Sequence, residues 1–232
     1  MTVTAQPTLT AFEAVTFDLY RDIHKGIRGE LFSVTTEAGR LDPSDRAAKV
    51  AFARRVAALA ELLEGHAHHE DAVIQPVVET HLPALAERIA VDHASFERRV
   101  GSFTERTAEA VDAASPRPAL HLVYGDLASF VSAYLAHQEY EERVIMPALE
   151  TEIGVEGVKV LHGLIVSQIP PAEMAVAMPL MLWGMNVDDR AEALGAMHDN
   201  MPPELFAGVW GLAASVLTEA EHAAVGARIG IN

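Results

Sequence analysis

HAHHEDAVIQP, running from His66 to Pro76, recurs as HQEYEERVIMP from His137 to Pro147. In both copies His, Glu, an acidic residue, Val-Ile and Pro stand at the same offsets. On an α-helix, residues four apart are displaced by only ~40° and about 6 Å. His66 and Glu70 therefore leave one helix face together, as do His137 and Glu141. The repeat predicts two structurally equivalent positions related by a pseudo-two-fold.

Working outward, the same His-x-x-x-Glu spacing occurs once more, at His93 and Glu97, and no other histidine in the chain has a glutamate four residues on. Each pair lies in a stretch of helical periodicity. Leu59, Leu62, His66, Glu70, Val73 and Val77 share one side of a helix opened by Pro43, and Leu127, Phe130, Tyr134, His137, Glu141, Val144 and Ala148 share another. Between them, Ile89, His93, Glu97, Val100 and Phe103 form a third stripe after the turn His81–Pro83. A fourth helix is expected to open at Thr10, with Glu13 completing a capping box, and to carry Phe17, Tyr20, His24, Ile27 and Leu31 inward.

Four long helices with short connections predict an all-α, up-down-up-down four-helix bundle over residues 1–154. From residue 155 to 232 the helical segments shorten and are broken by Pro170-Pro171 and Pro202-Pro203. This part is expected to be a C-terminal helical extension packed on the bundle, with a capping box at Thr218 and Glu221. Its stripe Met174, Met178, Met181, Met185 reads as core, with an apolar lid as the alternative.

Composition narrows the chemistry. The chain has 33 acidic against 17 basic residues and a formal charge of −16, which disfavours nucleic acid and anionic membranes as partners. The start MTVTAQPTLT has no basic, apolar leader, and the run Met174–Met185 is too short to span a bilayer. A cytoplasmic location is expected. With no cysteine, thiolate zinc sites, iron–sulfur clusters and disulfides are excluded.

What remains is an N/O donor set on four helices: His24, His66, Glu70, His93, Glu97, His137 and Glu141. Imidazole suits iron, zinc, copper and nickel, and bridging carboxylates can hold two cations close together. Polar groups amid large apolar residues are costly to bury unpaired, which favours ligands over an idle polar stripe. His68 and His69 point away from the ligand face, and His81 and His121 sit near turns. His162, His198 and His222 lie beyond the bundle. Tyr20 and Tyr134 read as core neighbours of ligands, and Asp71 and Glu142 as candidates to orient imidazoles.

The order His, HxxxE, HxxxE, HxxxE over roughly residues 10–152 resembles the hemerythrin-like (HHE cation-binding) family. The resemblance implies two non-heme iron ions in a four-helix bundle, bridged by Glu70 and Glu141. His93, Glu97 and His137 would complete one iron. His24 and His66 would serve the other, leaving it an open position for dioxygen or hydrogen peroxide. Where oxygen-carrying members have a second histidine, this chain has Glu97. An anionic oxygen ligand there favours the ferric state and hence turnover of peroxide or oxidative use of dioxygen. Oxygen carriage, oxygen sensing or iron storage is the alternative, and a zinc-bearing structural bundle a third.

Overall fold

The computed structural model describes residues 15–231. Among them the chain is helical throughout, with no strand. The four helices that carry the expected ligands are α1 (Arg21–Arg40), α2 (Arg46–His69), α4 (Pro83–Val111) and α5 (Pro116–Tyr140). The second continues through a π-helical turn, Glu70–Ile74, into α3 (Gln75–His81). The last continues through Glu141–Ile145, also π-helical, into α6 (Met146–Gln168). In space α1 packs on α2 and α5, and α4 packs on α2 and α5, closing a ring of four.

Two starts differ from expectation. The capping pair Thr10 and Glu13 lies outside the described residues. Phe17 and Tyr20 precede α1 because Asp18 intervenes: its Oδ1 accepts the backbone N–H groups of Tyr20 and Arg21 at 2.9 and 3.1 Å. Likewise Pro43 sits in the preceding turn, and Asp45 caps α2 by accepting from the Ala48 N–H at 2.9 Å. An aspartate before the first turn satisfies donors that the helix itself leaves free, which sets the start of α1 after Asp18 and that of α2 after Asp45.

Two apolar clusters fill the bundle. One contains Ile27, Leu31, Phe52, Leu59, Phe96, Phe103, Leu127 and Phe130. The other contains Tyr20, Val73, Val78, Ile89, Tyr140, Ile145 and Leu149. His24, His66, His93 and His137 each fall along the chain between residues of the two clusters.

The α6 backbone bends at Gly154, where φ is 71°, a left-handed value that a residue with a Cβ rarely takes. Beyond it, α7 (Pro171–Gly184) lies along α1, and α8 (Val187–Asn200), α9 (Pro203–Val216) and α10 (Glu219–Ile229) gather around a third cluster. The α1–α7 approach is close: a Cβ on Gly26 would meet the backbone of Leu180 and Met181 at 2.9 Å, and one on Gly184 would meet Lys25 at 2.8 Å. Met178 and Met185 are buried in the third cluster, with Met174 and Met181 packed against it, so the methionine stripe is core. The Thr218–Glu221 capping box forms as expected. The continuous run Pro116–Gln168 is long and apolar enough by composition to cross a membrane, but its inner face is spent on the two bundle clusters.

Candidate metal centre

The two π-helical turns coincide with the sequence repeat. Each begins at a glutamate, Glu70 or Glu141, and in each the residue before the proline donates its N–H five residues back, Gln75 to the Glu70 carbonyl and Met146 to that of Glu141. The cause is in the sequence. Pro76 and Pro147 lack an N–H and would press their rings on the carbonyls four residues earlier. Widening the turn relieves that clash, and such π-turns recur at functional sites.

The result is a buried cluster of six side chains. Glu70 Oε1 lies 3.2 Å from His66 Nε2 and 3.9 Å from His24 Nε2, while its Oε2 lies 3.4 Å from His93 Nε2. Glu141 Oε1 lies 3.1 Å from His137 Nε2 and 3.9 Å from His93 Nε2, while its Oε2 lies 3.5 Å from His24 Nε2. Each carboxylate thus turns one oxygen toward His24 or the His24/His66 pair and the other toward His93 or the His93/His137 pair. The Nε2 atoms of His93 and His137 approach to 3.1 Å.

Within the protein this arrangement is unsatisfied. Among the described residues, His24 Nε2, both Glu70 oxygens and Glu141 Oε2 are buried without a hydrogen-bond partner. Leaving such groups unpaired in a low-dielectric interior is expensive, and cations coordinated among them remove the deficit. Ligand atoms of Glu70, His93, His137 and Glu141 lie mutually within 4.8 Å, as do those of His24, His66 and Glu70. The donor set therefore fits metal ions.

Outside the cluster, carboxylates hold three of the rings. His24 Nδ1 is 2.9 Å from Glu142 Oε1, and Arg28 clamps the same carboxylate at 2.7 and 3.0 Å. His93 Nδ1 is 2.8 Å from Asp71 Oδ1, and His137 Nδ1 is 3.3 Å from Asp92 Oδ2. An Nδ1–H donated outward fixes the tautomer that leaves Nε2 facing the cluster. Asp71 and Glu142 thus take the orienting part considered for them; Asp92 escaped the sequence reading.

Without metal the electrostatics are strained. Burial opposes protonation of His24, His93 and His137, but the adjoining carboxylates outweigh it and raise them to about 9, 10 and 9. His66 has no such outer partner among the described residues; burial dominates the pull of Glu70 and lowers it to about 4. Burial and the neighbouring Glu70 raise the Glu141 carboxyl. Despite its own burial Glu70 is driven well below the usual range, by His66 first and then His24 and His93.

Glu97 is the exception among the expected ligands. It is exposed on α4, and Phe96 is buried in its place, its ring 5.1 Å from that of His137. The assignment of Glu97 to the centre is therefore corrected. Tyr20 stacks on His24 with ring centroids 5.1 Å apart, and Tyr134 packs among Phe96 and Phe130, both as core residues. His68, His81, His121, His162 and His198 are exposed, His222 packs against Trp210, and His69 Nε2 pairs with Glu173 at 3.0 Å.

Nothing among curated proteins or solved structures matches this chain. The family model for the hemerythrin HHE cation-binding domain matches residues 15–149, which contain all six clustered side chains and both π-turns. With that match covering more than half the chain, the protein belongs to the hemerythrin HHE cation-binding family.

Proposed function

We propose that the protein is a non-heme di-iron protein that reacts with dioxygen or hydrogen peroxide. The observation that carries this reading is the convergence of histidine Nε2 and glutamate oxygen atoms from four helices, with His24 Nε2, both Glu70 oxygens and Glu141 Oε2 buried and unpartnered among the described residues. An up-down-up-down bundle accounts for that convergence, since each helix crosses from one apolar cluster to the other through the ligand layer. His24 and His66 would hold one ion, His93 and His137 the other, and Glu70 and Glu141 would be shared. Iron bound there would supply reversible electron transfer to a small oxygen species.

The chain's own residues prepare the place. Glu142, Asp71 and Asp92 orient three imidazoles, and the apolar clusters on either side exclude bulk water. Tyr20 covers the His24 ring. Because protons occupy the raised histidines when metal is absent, metal uptake releases them, and the carboxylates that raise their pKa become the counter-charges of the cations.

One observation favours a second reading on the same centre, oxygen binding without turnover. With Glu97 exposed, the anionic ligand that would favour the ferric state is absent from the cluster. The two are separated by measuring metal content and then following the near-ultraviolet spectrum as dioxygen and peroxide are added. Sustained oxygen evolution from peroxide is expected for catalysis. A stable, reversible spectral change with dioxygen and no turnover would overturn catalysis in favour of binding, and a colourless zinc-loaded protein would overturn both.

A further inference from the structure

The pseudo-two-fold written in the repeat extends beyond the repeat itself. His66 corresponds to His137, Glu70 to Glu141 and Asp71 to Glu142. The outer hydrogen bonds then make α1 the counterpart of α4: His24 is held by Glu142, and His93 by Asp71. Each of these acids directly follows a shared glutamate.

The remaining pair breaks the symmetry. His137 is held by Asp92, the residue before His93. The corresponding holder for His66 would be the residue before His24, and that residue is Ile23. Its side chain is half-buried and packs with the apolar cluster around Phe52. An isoleucine accepts no hydrogen bond, so among the described residues His66 is the one of the four histidines with no carboxylate on its outer nitrogen.

A carboxylate on the far nitrogen fixes an imidazole and raises its basicity, and its loss typically weakens metal binding by about 10–100-fold.

We propose that the Asp92/Ile23 difference makes the two metal positions unequal, so that the ion held by His24 and His66 is the second to bind and the first to leave. Asp92 is on this account a positioning residue for the tight position. Its missing counterpart leaves the other position exchangeable, an asymmetry set outside the ligands themselves. The inference rests on the two-ion reading above.

The test is titration of the metal-free protein with cobalt(II), followed by its visible absorption in competition with a chelator. The wild-type chain is expected to bind in two steps separated by about 10-fold or more. Asp92→Asn should weaken the tighter step by about 10–100-fold and bring the two together. Ile23→Asp should strengthen the weaker step, and Ile23→Asn, which introduces an uncharged acceptor, should do so partially. Should Ile23→Asp fold poorly, the Asp92→Asn titration decides alone. Two ions bound with equal affinity by the wild type, or an Asp92→Asn variant that weakens only the looser step, would overturn the inference while leaving the metal centre intact. Failure to bind any ion would remove the centre and the inference together.

Discussion

A glutamate four residues past a histidine shares its metal only when the helix is turned so that both face inward. On α4 the buried positions are Ala86, Ile89, His93, Phe96, Val100, Phe103, Thr107 and Ala110, stepping alternately by three and four. That track passes through residue 96 and leaves residue 97 outside. On α2 and α5 the glutamate N–H bonds back to the carbonyl of the histidine four residues before it and the inward track runs through the glutamate, the π-turn beginning only there, whereas on α4 the track takes Phe96. We therefore expect Glu97→Gln to leave metal stoichiometry and affinity unchanged, whereas Glu70→Gln, which removes a shared charge, should sharply reduce bound metal; metal analysis after dialysis distinguishes them. The histidines were legible in the sequence because each sits mid-stripe among apolar residues. Whether the third or fourth residue beyond His93 faces the core was not, because both lie within about 60° of it and the choice belongs to the neighbouring helix. Asp92 was hidden for a similar reason, since the imidazole it holds is on α5.

Among whole elements, prolines and caps decide most boundaries. The repeat told where the two equivalent segments lie, but a proline in a helical pattern announces only a disturbance; that the disturbance is a widened turn depends on keeping both flanking helices packed. The Thr218–Glu221 box was readable because its partners are three residues apart, while the tie from Arg190 on α8 to Glu221 at 2.9 Å joins residues distant in sequence. Arg190 also donates to the Leu182 carbonyl at 2.6 Å, closing the end of α7. Hydrogen bonds from Thr218, with Arg190 adding to them, lower the Glu221 carboxyl from 4.5 to about 2. A depressed folded value means that its contribution is fully present above pH 4.5 and is lost as pH falls through 2. Amide hydrogen exchange in α10 should accelerate over that acid window, and Glu221→Gln should exchange faster already at neutral pH and show no such acceleration.

For the molecule as a whole, the surplus of acidic groups reads as a field as well as a composition. A net charge of −16 attracts divalent cations toward a centre whose own ligands include two carboxylates, and salt screens that attraction beyond a Debye length of about 10 Å at 0.1 M. Cobalt(II) association measured by stopped flow should slow as ionic strength rises from about 10 mM to about 150 mM, with dissociation much less affected. An association rate indifferent to salt would show that the surface charge has no part in uptake. The all-helical class was evident from periodicity alone. How α7 lies on α1 was not, because it depends on where two glycines meet, and a glycine in a helical pattern gives no sign of its partner.

That meeting has a consequence. Gly184 rests on the backbone of Lys25 and Gly26, neither side having room for a methyl group, and His24 is the next residue along. With backbone resting on backbone at this crossing, any shift of α7 is passed directly to the polypeptide beside His24. Among the described residues the tail adds no side chain to the His/Glu cluster, yet it is geared to that cluster like a lever seated on its fulcrum.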